Sequence, residues 1–268
     1  MSLMAALHFQ AVESGPTSSY AIRDSVFHHP KERLVVTMRC TSTFVALGLC
    51  VVAAPCFAQQ TIFNVPSADI TEPSKFFFQH QSTVRAVNPD RSWVQADALG
   101  YGVGFNTEAD VTVTNISLPT GHNEVIGVGF KTALPLFSEA AKAEEFRATF
   151  GEFVPLAVRD HTIGSWTYAH LSGKIPSWET RVSVGASLGS AELFGERAKS
   201  AIVGVEQPIN AKWLFQADWF SGHHDLAAVI PGLVYTMDNL SMVSFGYQFP
   251  NHAESGKQAA VFEYTTFF

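Results

Sequence analysis

The sequence predicts an all-β fold: an antiparallel transmembrane barrel of about twelve strands, ten being the alternative count, with short turns on one side. Three observations carry that expectation. Apolar and polar residues alternate with period two in short segments bounded by Gly, Pro, Asn and Asp. Beyond residue 58 no apolar stretch reaches the ~18 residues that a spanning helix needs, whereas a barrel strand shows only alternate residues to lipid. The last eight residues, Val261 to Phe268, set Phe262, Tyr264, Thr266 and Phe268 on one face and Val261, Glu263, Thr265 and Phe267 on the other.

Read in order, the chain opens with residues 1–37, which look like an upstream extension arising from a misassigned start. Residues 38–58 have the form of a signal peptide. Met38 and Arg39 supply the start and the basic end, Phe44 to Pro55 the apolar core, and Cys56-Phe57-Ala58 the exit before Gln59. A single membrane anchor is the competing reading, but the run is shorter than the ~18 to 20 residues of a spanning helix. Leu49 and Pro55, before Cys50 and Cys56, are poor residues for a lipid-modification site. All three cysteines, Cys40, Cys50 and Cys56, fall before Gln59, so the mature chain is expected to lack disulfides, thiolate metal sites and cysteine nucleophiles. The removed part holds four of the 17 basic and three of the 24 acidic residues, leaving 13 against 21. Such an acidic chain is unsuited to nucleic acid, and no nucleic-acid partner is expected.

Residues 59–74, with Pro66 and Pro73 among polar residues, read as a periplasmic N-terminal lead or a strap across the lumen. The barrel itself, residues 75–268, divides into strands over 75–86, 92–105, 110–118, 124–133, 146–156, 164–172, 178–189, 200–206, 211–222, 226–237, 241–249 and 256–268. An even count puts both chain ends on one side. Turns on that side fall at 106–109, 138–145, 173–176, 207–210 and 238–240, and 138–145 has the Ser and helix formers of a short helix. The opposite loops fall at 88–91, 119–123, 159–162, 190–198, 223–225 and 251–255, none long enough for a lid. Strand 211–222 shows two faces: Trp213, Phe215, Ala217 and Trp219 outward, Lys212, Gln216 and Asp218 inward.

This alternation and the aromatic end at Phe268 resemble the Gram-negative outer-membrane β-barrel superfamily, in which a C-terminal Phe is read by the barrel-assembly machinery. The resemblance implies export to the cell outer membrane, outer-membrane lipid and the assembly machinery as partners, and passive diffusion of small solutes through a narrow pore. A closed-lumen structural or adhesive barrel is the alternative. A barrel esterase or lipase and a soluble secreted β-sandwich stand behind it.

Alternation places Arg85, Asp97, Lys131, Arg147, Arg181, Glu206, Lys212, Asp218 and Glu263 on the lumen side, where they either pair to staple the lumen shut or line a wet path. The period-two glycines Gly100, Gly102 and Gly104, and Gly127 and Gly129, lie within strands rather than at a strand-to-helix turn. A phosphate loop is therefore disfavoured, and open lumen space or room for a neighbour's aromatic ring is expected. Gly185-Ala186-Ser187-Leu188-Gly189 spells the nucleophile motif, yet Ser187 ends a strand, with His170 the one nearby base and no acid. His122, His161, His223, His224 and His252 gather in the outer loops near Asp160, Asp225 and Glu254. They are candidate metal ligands or acid sensors, but their dispersed spacing favours plain exposed histidines. No cofactor is expected and no metal site is assigned.

The export reading sets the mature N-terminus at Gln59. Intact-mass measurement of membrane-extracted protein should return that start, and residues 1–37 found attached would overturn it.

Overall fold

The structure is a computed structural model that describes residues 61–86, 91–118, 124–137, 146–175, 177–191, 199–224, 226–253 and 256–268. The expected signal segment, the helix at 138–145, His122, Asp225 and Glu254 lie outside the described residues.

Twelve strands form a closed antiparallel ring: β1 Phe76–Arg85, β2 Ser92–Gly104, β3 Thr107–Leu118, β4 Val125–Pro135, β5 Arg147–Ala157, β6 Trp166–Ile175, β7 Thr180–Gly189, β8 Lys199–Pro208, β9 Trp213–Phe220, β10 Ala228–Thr236, β11 Ser241–Pro250 and β12 Ala259–Phe267. A two-residue piece, Thr162–Ile163, adds to the end of β5. Each strand pairs with its sequence neighbour. The ring closes where β1 meets β12, in register from Phe77 opposite Phe267 to Val84 opposite Ala260. Phe76 and Phe268 exchange backbone hydrogen bonds of 2.9 and 3.0 Å, and their rings stack at 5.8 Å. The last residue therefore completes the seam. All twelve strands correspond to segments read from the alternation, and closure removes the sandwich alternative, which needs two open sheets.

Several turns are displaced from their expected positions. Between β2 and β3 only Phe105 and Asn106 make the turn, both at positive φ of 54° and 56°, the conformation of a tight type I′ hairpin. Glu108, expected in that turn, is instead a buried residue of β3. β6 continues to Ile175, over residues expected to open the 173–176 turn. The β8–β9 turn sits at 209–212, where Asn210 Oδ1 accepts from the amides of Lys212 and Trp213. Asp238 Oδ1 does the same for Leu240 and Ser241 between β10 and β11.

The wall is inside out relative to a water-soluble barrel. Leu99, Val111, Ile126, Val154, Leu171, Val184, Phe245 and Phe262 point outward and are exposed, while Gln79, Glu108, Lys131, Glu206, Gln216, Asp218 and Glu263 point inward and are buried. An apolar exterior with polar groups inside suits a hydrocarbon surround. Aromatics mark its borders. Phe76, Tyr101 and Phe268 cluster at the rim of the chain ends, with Trp213 against Tyr235 on the same rim. Trp93 and Trp219 stand toward the other.

Leu171, halfway along β6 and 59% exposed, is placed at mid-depth. Leu171→Arg should lower unfolding stability in lipid vesicles by ~2 to 4 kcal/mol. Lys212→Ala, in an exposed turn, should change it by no more than ~0.5 kcal/mol. Equal effects in a urea titration would contradict the assignment of faces.

Candidate functional site

The lumen is occupied by the chain's own N-terminal segment. Of the two readings of residues 59–74, the described part takes the course of a strap: residues 61–71 run inside the barrel and 72–75 join β1 at the rim. From that rim, Ser74 donates to Gly102 O at 2.9 Å. Thr71 then gives its amide and hydroxyl to Glu108 Oε2 at 2.8 and 2.9 Å. Asp69 meets Arg181 Nη1 at 2.7 Å, and Ala68 O accepts from Arg147 Nη1 at 2.9 Å. The strap ends in a tight turn, with Ile62 N bonded to Val65 O at 2.8 Å and Thr61 bridged to Pro66.

Asp218 Oδ2 holds that turn by accepting the amides of Phe63, Asn64 and Val65 at 3.1, 2.6 and 2.7 Å. Three successive N–H groups converging on one carboxylate oxygen make an anion nest, here built by the strap around a wall residue. Gln216 donates to Ile62 O, and Gln81 bridges Phe63 O at 3.2 Å and Glu263 Oε1 at 2.9 Å. Apolar contacts reinforce the polar ones. Ile62, Phe63 and Val65 pack with Tyr168, Ile202, Phe220, Ile230 and Val261 in an apolar cluster inside the lumen. Wall glycines give the room: a Cβ on Gly204 would stand 2.2 Å from Ile62, and one on Gly246 2.6 Å from the Phe63 ring.

Of the nine charges read as lumen-lining, seven face inward. Lys131 pairs with Glu108 at 3.0 Å, and Arg147 and Arg181 hold the strap. Glu206 lies 3.5 Å from Arg181, while Asp218 and Glu263 meet the strap and Gln81. Arg85 sits at the far end of β1 beside Gly256. Two need correction. Asp97 faces outward and bonds His80 Nδ1 at 2.7 Å, because β2 turns its small residues Ala96, Ala98 and Gly100 to the crowded lumen side. Lys212 lies in the β8–β9 turn, exposed, with Nζ 5.8 Å from the ring centre of Tyr235, because β9 starts only at Trp213. Glu108 and Asp110 were missed. Glu108 was hidden by the turn expected at 106–109, whereas Asp110 opened the expected strand 110–118 and was not read as lumen-lining, although it alternates with Ala109 and Val111.

The hydrolase candidate fares poorly in geometry. Ser187 is inward and buried on β7, and no hydrogen bond joins it to His170 among the described residues. His224 Nε2 meets Ser200 Oγ and also Ser221 O at 3.1 Å. Nε2 is thus shared between the Ser200 hydroxyl and a backbone carbonyl rather than committed to the serine. Among the loop histidines, His223 and His252 stack at 4.0 Å, and His161 lies in another loop at φ 52°. No cluster of three or more metal-ligating side chains occurs among the described residues.

A closed twelve-stranded ring with an apolar exterior, a polar lumen and both strand ends of the seam on one rim decides the fold. The fold is that of an outer-membrane β-barrel. Solved structures similar to it include the following two. One is the outer-membrane protein Omp33 of Acinetobacter baumannii, at 10% identity and TM-score 0.46 over 73% of this chain and 98% of that one. The other is the translocator domain of the autotransporter NalP from Neisseria meningitidis, at 11% identity and TM-score 0.39 over 72% and 87%. No family model and no curated protein matches the chain.

Asp218→Ala should release the strap turn while leaving the ring closed. Hydrogen bonds to a charged group contribute ~1.5 to 3 kcal/mol each; these three share one acceptor oxygen and do not add in full, so losing them together should cost about 3 kcal/mol of docking. Amide exchange at Phe63, Asn64 and Val65 should then quicken by about a hundredfold. Unchanged protection with a heat-modifiable barrel would show that the nest does not hold the strap.

Proposed function

We propose that the protein is an outer-membrane channel for small solutes whose lumen is closed or narrowed by its own N-terminal strap. One observation carries this reading: the wall does not fill its lumen with its own side chains. The ring encloses enough space for the strap and, beside it, a cavity of about 440 Å³ lined by Gln79, Glu108, Asp110, Thr112 and Lys131 among others. In a barrel that serves only as a scaffold, wall side chains can fill the interior directly. The strap is joined to the wall at its β1 end, and its other contacts are non-covalent, so it is separable in principle from an intact ring. The charges that hold it, Arg147, Arg181, Glu108 and Asp218, would line the vacated path and bias which ions pass.

The signal segment at residues 38–58 delivers the chain to the periplasm on this reading, and the exposed ring of Phe268 at the seam is the feature offered to the assembly machinery. The closed-lumen alternative has its own support in the number of buried bonds that seat the strap. Conductance separates the two. Deleting residues 61–71 should raise single-channel conductance in planar bilayers several-fold over the intact mature chain. A heat-modifiable deletion variant that conducts no better would establish the closed barrel.

A further inference from the structure

We infer that the cavity beside the strap is a binding site for a small organic monocation, an ammonium or quaternary ammonium compound. Its wall is written in one rung of the barrel. Asp110 of β3 stands opposite Gly129 of β4, Gly129 opposite Phe153 of β5, and Phe153 opposite Trp166 of β6. Because Gly129 has no side chain, the groups on either side of it converge. A Cβ placed there would lie 2.8 Å from Asp110 Oδ1 and 3.3 Å from the Phe153 ring. One rung nearer the strap's rim, Gly151 does the same for Tyr168, whose hydroxyl lies over it and whose ring stands 5.0 Å from that of Trp166. Asp110, Phe153, Trp166 and Tyr168 all border the cavity. The result is a carboxylate set against aromatic surfaces, the combination that attracts a cation carrying apolar substituents.

The charge count points the same way. Glu108 is committed to Lys131 at 3.0 Å and to the strap hydroxyl of Thr71 at 2.9 Å. Asp110 accepts from Thr112 Oγ1 at 3.0 Å and forms no ion pair among the described residues. Glu152, on the adjoining strand, alternates with the inward Gly151 and Phe153, so its carboxylate points outward to Thr167 and is not among the charges facing the cavity. Two carboxylates and one ammonium leave the cavity wall one negative charge in excess, which a monovalent guest neutralises. A hard divalent metal such as calcium or magnesium would seek six or more oxygens, and the aromatic side of the cavity offers only the Tyr168 hydroxyl. At about 440 Å³ the space falls in the range of roughly 300 to 1,000 Å³ usual for small-molecule sites. Strap residues Thr61, Phe63, Asn64 and Pro66 form part of its lining, so it requires the seated strap but not conduction.

The test uses the whole mature chain in detergent, with choline as probe and its neutral isostere 3,3-dimethylbutan-1-ol as control, both titrated calorimetrically. Choline should bind about tenfold tighter than the alcohol, a difference of ~1.4 kcal/mol. Asp110→Asn should remove most of that preference and leave the alcohol unchanged; Phe153→Leu should weaken choline several-fold. Heat modifiability checks that both variants keep the ring. Equal binding of the two probes, no choline binding, or an Asp110→Asn affinity within twofold of the parent would each overturn the site. A chain that conducts yet ignores choline refutes this inference alone, whereas one that binds choline and never conducts refutes the channel alone.

Discussion

The interaction on which the interior depends is the capture of three strap amides by the Asp218 carboxylate. A carboxylate buried in a barrel wall is costly unless donors surround it, and among the described residues no side chain of the neighbouring strands supplies them to Asp218. The donors come from backbone, at Phe63, Asn64 and Val65. Backbone N–H groups can converge in this way only where the chain turns, so the strap must make its tight turn at this height. That in turn explains the wall around it. Gly204, Gly232 and Gly246 are bare because Ile62 and Phe63 occupy the space their side chains would need. Gln216 and Gln81 face inward because the turn's carbonyls, at Ile62 and Phe63, need donors.

Outside, the constraint is reversed. Lipid offers no hydrogen bonds, so an outward polar group must be satisfied by its neighbours in the wall. The exceptions to the apolar belt obey this. His80 is bonded to both Asp97 and Ser82, Trp93 also reaches Ser82, and Glu152 is taken up by Thr167. Each polar group is paired across adjacent strands rather than left facing hydrocarbon. The same requirement applied to the backbone forces closure at β1 and β12, where an open edge would leave a row of unpaired amides. Phe268 completes that closure through both its backbone groups, which places a chemical demand on the last residue quite apart from its aromatic ring.

The strand count and the faces of β9 and β12 were legible because they depend on local alternation, and alternation is a property of consecutive residues. Trp213, Phe215 and Trp219 on one side and Gln216 and Asp218 on the other could be assigned without knowing any partner. Asp97 could not. Its side depends on which face of β2 has to be small, and that is set by Phe77 lying over Gly100 and the strap lying over Gly102. Glu108 was hidden by a turn only two residues long, with Phe105 in a conformation that its side chain does not advertise. The strap was left open for a related reason. Pro66 and Pro73 make residues 59–74 read as an extended segment, but such a segment is drawn inside only if the wall has both donors for it and bare positions opposite it. The period-two glycines were the sequence's trace of those bare positions, and it takes the register to tell which of them admit the strap and which a neighbouring ring.

The strap and the cavity are two aspects of one arrangement. Thr61, Phe63, Asn64 and Pro66 form one side of the space whose other side carries Asp110 and Phe153. A guest touching both sides has a complete site only while the strap is seated. By linkage, its occupancy then favours the seated strap by as much as seating favours the guest. The barrel therefore has the structure of a lumen in which the same short segment forms an obstacle and part of a site. Strap contacts and cavity contacts also share a wall, since Glu108 holds Thr71 on one side and Lys131 on the other. The two engage different oxygens, Lys131 at Oε1 and Thr71 at Oε2, so one buried carboxylate serves wall and strap at once. Loss of either partner would leave that buried charge with the other alone, which is why the ion pair in the wall and the seating of the strap support each other.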